Sequence, residues 1–297
     1  MKTYKDIDKI PSGSASELIT SGSLVLEGGG WKGLYTAGVL DAMMEEHVNL
    51  SSVVGVSAGA LCSLCYVAGQ IGWSARINLS YRHDTNYCGM GAFRRDHGIT
   101  GFSYLFDTIL KVMPLDEDRL FSPKRRLAVS ATNLQTGKVV YFEKGHCDLY
   151  RAVQASASVP YISEPVLIDG VPYLDGGCAE KIPYPWAEQC GEKKIVVVRT
   201  RDAAFRRKSG APSLAEKAYR NYPEFVRSLK SANDNYNTMA DALQADADSG
   251  KIYMISPSKP INVKRFDGNM EKLGELYWLG YHDAHSQMKD LKAFLKF

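Results

Sequence analysis

The sequence lacks a long apolar run. Its most apolar window, residues 53–68, is shorter than the ~18 residues expected of a membrane span and contains Gly55, Ser57 and Gly59. Residues 1–23 mix charged and polar side chains without an apolar core, so we expect neither a signal peptide nor a membrane anchor there. These features predict a cytoplasmic protein.

A strong excess of one charge and a cysteine framework are also missing. The formal net charge of +3 is too small to require a nucleic acid partner. The six cysteines are scattered, which favours free thiols over disulfides. Cys62 and Cys65 are interpreted as core-filling side chains, because no second cysteine pair is present to complete a zinc site.

Strand and helix patterns alternate along the chain. Residues 24–26 and 53–56 are short apolar runs, and each is followed by a glycine-containing turn and an apolar helix. The run KKIVVVRTR is typical of a central parallel strand, and KIYMIS predicts a last strand. This alternation predicts an α/β fold, namely a three-layer α/β/α sandwich with a mostly parallel central sheet.

We expect a single domain over residues 1–297, because no repeat, low-complexity tract or linker divides the chain. Its core covers about residues 23–200. Residues 69–126 have weaker periodicity and are interpreted as a cap-like insertion, whereas residues 211–297 predict a helical C-terminal extension.

A glycine-rich turn follows the first strand. Gly28, Gly30 and Gly33 fit G-x-G-x-x-G, which favours a dinucleotide site, but that site also requires an acidic residue at the end of the second strand. The sequence has GVSAG there instead. A turn needed only for packing is a second interpretation. A third is an anion site for a developing oxyanion, because glycines leave backbone N–H groups accessible at a helix start.

The second turn, GVSAG, matches G-x-S-x-G. Gly55 and Gly59 permit a tight strand-to-helix turn that raises the Ser57 hydroxyl above the sheet. A reactive serine needs a base. Among the histidines, His282 and His285 follow Ser57 in the order of a Ser-Asp-His triad, but both lie in a predicted amphipathic helix and are interpreted as surface or satisfied side chains.

A third block, YLDGG, ends a short predicted strand at Asp175. An aspartate followed by two glycines is also an ordinary turn signal. Placed beside Ser57, however, the Asp175 carboxylate could accept the hydroxyl proton directly, provided that burial raises its basicity. A site of this kind needs no histidine.

In this order, the three motifs resemble those of the patatin-like phospholipases, a family of serine acyl hydrolases with a catalytic dyad. The motifs are GGGWKG at residues 28–33, GVSAG at 55–59 and DGG at 175–177. The stretch ASASVPYISEPVLIDGVPYLDGG and the terminal LGELYWLGYHDA are similar as well, and the main resemblance spans about residues 23–198. Lys32 matches the basic residue that the family usually has in its glycine loop.

The resemblance implies that Ser57 attacks an ester carbonyl and that Asp175 is the base. The implied oxyanion donors are the backbone amides of Gly28, Gly29, Gly30 and Ala58. Six further residues are expected to support the motifs: Lys32, Gly33, Gly55, Gly59, Gly176 and Gly177. No metal or organic cofactor is implied.

The implied substrate is a lipid or another ester, and the implied reaction is that of a phospholipase A, lysophospholipase or esterase. A nucleotide-binding protein and an acyltransferase on the same scaffold are the alternatives. The basic runs SPKRRL and RTRDAAFRRKSG fit either peripheral contact with a membrane or a solvated face. Aromatic residues within residues 81–106 are expected either to line an acyl-chain pocket or to pack in the core.

Overall fold

The computed structural model describes residues 3–210, 214–264 and 266–297. Its strands are β1 (Gly13–Ser14), β2 (Thr20–Leu26), β3 (Leu50–Val56), β4 (Gln70–Ile71), β5 (Arg126–Asn133), β6 (Val139–Glu143), β7 (Val166–Ile168), β8 (Val171–Asp175), β9 (Ile195–Val198) and β10 (Tyr253–Ile255). The first positions of the predicted C-terminal extension, 211–213, lie outside the described residues.

The α-helices are α1 (Gly33–Glu45), α2 (Ala58–Ala68), α3 (Trp73–Tyr81), α4 (Met90–Asp96), α5 (Phe102–Tyr104), α6 (Leu110–Val112), α7 (Glu117–Phe121), α8 (Leu149–Ser156), α9 (Tyr184–Gln189), α10 (Ala215–Ala218), α11 (Pro223–Asp248) and α12 (Met270–Leu295). A π-helix, Leu105–Ile109, joins α5 to α6. Short 3-10 helices cover Ile7–Lys9, Gly30–Lys32 and Gly176–Cys178.

Eight of the described strands form one sheet in the order β10-β9-β2-β3-β5-β8-β7, with β6 paired to β5. The five strands from β10 to β5 are parallel, whereas β6, β7 and β8 run antiparallel to their partners. The sheet is therefore mixed, with a parallel majority, and the predicted α/β fold is confirmed.

Helices cover both faces of this sheet because alternate strand residues point in opposite directions. Leu24 and Val53 pack in a cluster with residues of α1, α2 and α12. Their neighbours Val25 and Val54 pack in a second cluster with residues of α9 and α11. Burial on both faces explains why the central strands are almost continuously apolar. The fold is thus the three-layer sandwich that the sequence predicts.

Strand β5 brings the ends of β3 and β8 together. Its residues pair with β6 along one edge, so β3 and β8 share the other edge. On that shared edge Val56, the last residue of β3, pairs with Ser130, and Asp175, the last residue of β8, pairs with Ala131. Because β3 runs parallel and β8 antiparallel to β5, the two strands end facing each other. Ser57, which follows β3, therefore lies beside Asp175.

The C-terminal segment belongs to the same three layers. β10 pairs with β9 at the sheet edge, α11 covers one face, and α12 packs along α1 on the other. The backbones of α1 and α12 approach closely because each helix has a glycine at the contact. A Cβ atom on Gly38 would lie 2.1 Å from the carbonyl oxygen of Tyr277, and one on Gly280 would lie 2.0 Å from that of Tyr35.

Two buried hydrogen bonds cross the α1–α12 contact. The Tyr277 hydroxyl donates to Asp41 Oδ2 over 2.9 Å, and the Tyr35 hydroxyl donates to Asp283 Oδ2 over 3.1 Å. The backbone N–H of Gly72 also donates to Asp41, over 2.9 Å. Burial raises the pKa of the Asp41 carboxyl to about 7, because the charged form loses solvation.

Candidate active site

Ser57 occupies a strained turn between β3 and α2. Its φ of 56° and ψ of −120° are unusual for a residue with a side chain. The glycines on either side are required by close backbone contacts. A Cβ atom on Gly55 would lie 2.5 Å from the carbonyl of Gly59, and one on Gly59 would lie 2.4 Å from the oxygen of Leu26. The packed backbone thus holds Ser57 in this conformation.

The Ser57 hydroxyl donates to Asp175 Oδ2 over 2.7 Å. The other carboxylate oxygen, Oδ1, accepts the backbone N–H of Gly177 over 2.7 Å. Thr132 Oγ1 donates to the backbone oxygen of Asp175 over 2.9 Å and fixes the end of β8. Ser57 and Asp175 are 8% and 9% exposed, respectively. Their hydroxyl and carboxylate have the separation that direct proton transfer requires.

Two serines near the end of α8 hold the backbone of this pair. The N–H of Ser57 donates to Ser156 Oγ over 2.9 Å, and the N–H of Asp175 donates to the carbonyl oxygen of Ser158 over 2.8 Å. Neither serine is among the predicted site residues. The sequence feature that could have identified them is their position in the ASAS stretch, residues 155–158, which precedes β8.

The glycine loop packs directly against Ser57, since a Cβ atom on Gly28 would lie 3.1 Å from the Cβ of Ser57. Gly30 has a φ of 57°, in the left-handed region that favours glycine. The predicted set of oxyanion donors needs one correction. The N–H of Gly28 donates to the carbonyl oxygen of Lys181 over 3.3 Å, so it is already occupied. By contrast, the amides of Gly29, Gly30 and Ala58 have no acceptor among the described residues.

The remaining motif residues lie around this centre. A Cβ atom on Gly33 would be 2.8 Å from that of Ala58, and one on Gly176 would be 2.3 Å from the oxygen of Ser130, so both are close-packing glycines. Gly177 binds the carboxylate through its amide. Lys32 is buried and lines the cavity described below.

A buried ion pair supports the glycine loop. Glu27, directly before the loop, accepts hydrogen bonds from Arg199 Nε over 3.0 Å and from the N–H of Thr200 over 2.8 Å. Thr200 Oγ1 in turn donates to the carbonyl oxygen of Gly28 over 2.9 Å. Because Glu27 and Arg199 are fully buried, removing one of them would leave an unpaired charge beneath the loop.

The basic runs combine exposed and buried side chains: Lys124, Arg126, Arg206 and Lys208 are exposed, whereas one arginine in each run is buried. Arg199, the first residue of RTRDAAFRRKSG, forms the buried ion pair with Glu27. Arg125, within SPKRRL, is 4% exposed and donates to the backbone oxygens of Leu50 and Tyr66. The sequence could have indicated that Arg199 is buried, because this residue directly follows an all-apolar strand.

Ser57, Asp175 and the glycine loop line a cavity of about 620 Å³. Leu34 of α1 and Leu61 of α2 contribute apolar surface to it. From the aromatic residues at 81–106, Tyr87 lines the cavity, while Phe102 is buried outside the lining. Tyr87 is therefore placed at the cavity and Phe102 in the core.

No histidine lines the cavity in the described part of the chain. His282 stacks on Trp278 within α12, with ring centroids 5.7 Å apart, and His285 Nε2 lies 3.9 Å from a carboxylate oxygen of Glu45. The structure therefore brings Ser57 together with Asp175 and leaves both candidate triad histidines on α12.

No disulfide bond links any of the six cysteines, all of which lie in the described residues. Within residues 3–210, 214–264 and 266–297, no group of three histidine, cysteine or acidic side chains is placed to hold a metal ion. In the same ranges, no helix has both the length and the apolar composition needed to cross a lipid bilayer.

Two family models match the chain. The patatin-like phospholipase model matches residues 24–187, which is more than half of the 297 residues. A domain of unknown function, DUF6363, matches residues 222–296, from α11 to the end of α12. The two matches together include the glycine loop, the serine turn, the aspartate block and the C-terminal segment.

Several known proteins are similar over different lengths. The uncharacterized protein YjjU of Escherichia coli is 26% identical over 273 residues, which cover 87% of this chain and 74% of YjjU. The uncharacterized NTE family protein Rv1063c of Mycobacterium tuberculosis is 27% identical over 162 residues, or 54% of this chain and 44% of that relative. This chain therefore spans less than half of the mycobacterial protein.

Among solved structures, VipD from Legionella pneumophila has a TM-score of 0.51 at 15% identity. The alignment covers 97% of this chain and 69% of VipD. At this identity the likeness concerns the fold.

Proposed function

The chain belongs to the patatin-like phospholipase family, and from this premise we propose that it is a serine-dependent lipid acyl hydrolase acting through Ser57 and Asp175. The observation that carries the proposal is the 2.7 Å hydrogen bond from the Ser57 hydroxyl to Asp175, placed on the wall of a cavity. The cavity volume of about 620 Å³ lies within the range of small-molecule sites.

In the first half of the reaction, Asp175 accepts the Ser57 proton while Ser57 Oγ bonds to the ester carbonyl carbon. The carbonyl oxygen becomes an oxyanion, for which the free amides of Gly29, Gly30 and Ala58 are the proposed donors. Each such donor contributes ~3 kcal/mol to stabilising the transition state. The intermediate then collapses, and Asp175 returns the proton to the leaving alcohol.

In the second half, Asp175 takes a proton from water as the water oxygen attacks the acyl-serine carbonyl. The tetrahedral intermediate uses the same amides, and its collapse breaks the bond to Ser57 Oγ. The proton on Asp175 passes to Ser57, so that the fatty acid leaves and both residues recover their starting state. The N–H of Gly177 holds the carboxylate in place during both steps.

We expect Ser57→Ala to lower kcat/KM for p-nitrophenyl butyrate and for a lysophospholipid by at least ~10³-fold, because the nucleophile is lost. Its Tm should stay close to that of the wild type, since alanine and serine tolerate the positive φ equally. Ser63→Ala is the matched control, because Ser63 is a buried hydroxyl on α2 that bonds to its own helix. Retained turnover by Ser57→Ala would contradict the proposal.

Labelling separates the alternatives. A fluorophosphonate should label the wild type and the Ser63→Ala variant, but not Ser57→Ala, whereas a nucleotide-binding protein gives no reason for such labelling. Release of free fatty acid with water as the sole acceptor then favours a hydrolase over an acyltransferase.

A further inference from the structure

The cavity beside Ser57 has a strongly unbalanced charge. Among the described residues that line it, Asp175 is the single carboxylate, while five residues are basic. The basic residues are Lys32, Lys181, Arg201, Arg207 and Lys264. A neutral acyl ester requires no such surplus of cations, so the surplus points to a substrate with a negative charge.

Arg201 lines the cavity that contains Ser57 and Asp175. It follows Thr200, whose hydroxyl binds the carbonyl oxygen of Gly28 in the glycine loop. No carboxylate among the described residues lies within ion-pair distance of Arg201. Its charge is therefore not neutralised by a neighbouring acid of the described chain.

Arg201 and Arg207 both contact the same aromatic ring. The Cζ atoms of both lie over the Phe205 ring, at 4.2 Å for Arg201 and 5.7 Å for Arg207. Arg207 Cζ also lies 4.6 Å from the centroid of Tyr236 on α11. Stacking uses the flat face of a guanidinium and leaves its N–H donors in the plane, where they can bind a phosphate with two parallel hydrogen bonds.

The C-terminal segment builds this part of the cavity. The Asn237 side chain on α11 accepts the N–H of Arg207 over 2.8 Å and donates to its carbonyl oxygen over 2.9 Å. Leu229 and Asn233 of α11 also line the cavity. Residues 222–296, matched by a domain model of unknown function, thus contribute to the same cavity as Ser57.

We propose that Arg201 and Arg207, held by Phe205 and by α11, form an anion subsite that binds the phosphate of a phosphate-bearing lipid ester. This inference rests on the proposed acyl hydrolase function. The acyl chain lies against apolar residues such as Leu34 and Leu61, and the phosphate binds at the arginines, so that the ester is held at Ser57. The C-terminal region thereby takes part in substrate selection.

The test compares two soluble substrates with the same short acyl chain, a neutral monoacylglycerol and the corresponding monoacylglycerol phosphate, below their micelle concentrations. For the wild type we expect a higher kcat/KM with the phosphate-bearing substrate. Arg201→Gln should lower the ratio of the two kcat/KM values by about tenfold, the size expected for one lost charge-assisted contact. Arg201→Lys, which keeps the charge but not the two-pronged donor, should give an intermediate ratio.

Lys208→Gln is the matched control, because Lys208 belongs to the same segment, is exposed and does not line the cavity. It should leave the ratio at the wild-type value. Equal ratios in the wild type and Arg201→Gln, with both proteins folded by circular dichroism, would overturn the subsite. That result differs from failure of the hydrolase proposal, in which Ser57→Ala retains turnover of both substrates.

A further arm separates a substrate phosphate from free phosphate. Inorganic phosphate is added at millimolar concentrations during hydrolysis of the neutral monoacylglycerol. We expect little change in rate, because the phosphate must be joined to the ester to position it. A large activation that Arg201→Gln removes would show that a free anion is the ligand and would overturn the assignment to the substrate.

Discussion

Two regions of the molecule contain the same kind of buried contact, in which a hydroxyl donates to an aspartate. Ser57 donates to Asp175 over 2.7 Å at the edge of the sheet, and Tyr277 donates to Asp41 over 2.9 Å between α1 and α12. Each carboxylate also accepts one backbone N–H, from Gly177 and from Gly72 respectively. Hydrogen bonding alone therefore does not distinguish them.

The surroundings of the two pairs differ. Ser57 has a strained backbone, faces a cavity and lies beside free amides of the glycine loop. The Tyr277–Asp41 pair lies where Gly38 lets two helices approach, and both residues are buried and do not line the cavity. A candidate reactive centre differs from a structural contact in two features, a cavity that a ligand can enter and backbone N–H donors without an acceptor. The hydroxyl–carboxylate pair itself is common to both.

The largest effect should come from Asp175→Asn, which keeps the size of the side chain and removes the base. We expect kcat/KM for p-nitrophenyl butyrate to fall by ~10²–10⁴-fold, the usual contribution of a general base. Steady-state kinetics measures this loss, and the Tm should change little. The double variant His282→Gln/His285→Gln is the control and should keep near-normal rates. Near-normal rates in Asp175→Asn would instead indicate a different base.

The second effect concerns the structural pair. Gly38→Ala should lower the free energy of unfolding by about 3 kcal/mol, because the added Cβ would lie 2.1 Å from the Tyr277 carbonyl oxygen and force the helices apart. Urea denaturation measures the change. Gly268→Ala is the control, since its nearest neighbour would be 3.5 Å away. Increased stability of Gly38→Ala, as expected for alanine in an unobstructed helix, would contradict the close contact.

The third effect is a pH dependence at Asp41. Its pKa is about 7 in the folded protein against an ordinary value of 3.8, so between pH 4 and 7 the folded state keeps a proton that the unfolded state has released. Wild-type stability should therefore fall as pH rises through this window, by at most ~1.4 kcal/mol per pH unit from this group. Above pH 7 this contribution should level off.

Asp41→Asn removes that titration. The unfolding free energy of the variant minus that of the wild type should thus increase between pH 5 and pH 7, as measured by urea denaturation at each pH. Glu275→Gln, an exposed position on α12, is the control. A difference that stays constant with pH would show that Asp41 does not titrate in this range. The same replacement of aspartate by asparagine is thus tested in both regions, as Asp41→Asn and as Asp175→Asn.

The sequence predicted the layers and the three motifs because both depend on local patterns. Alternating strands and helices indicate the sandwich, and the glycines around Ser57 indicate its turn. The arrangement on β5 was not predictable in this way, because it depends on strand pairing between distant segments, Val56 with Ser130 and Ala131 with Asp175. The hydrogen bond from the Gly28 amide to Lys181 and the Glu27–Arg199 ion pair were missed for the same reason. Lys181 and Arg199 are far from the glycine loop in the chain.

The pairing of β3 and β8 with one edge of β5 determines which movements can disrupt the proposed active site. Val56, which directly precedes Ser57, and Asp175 pair with the neighbouring β5 residues Ser130 and Ala131, so the backbone of one strand sets the distance between the two chain segments. Movements of the surrounding helices can open or narrow the entrance to the cavity without changing that distance. The spacing between Ser57 and Asp175 therefore persists for as long as these three strands remain paired.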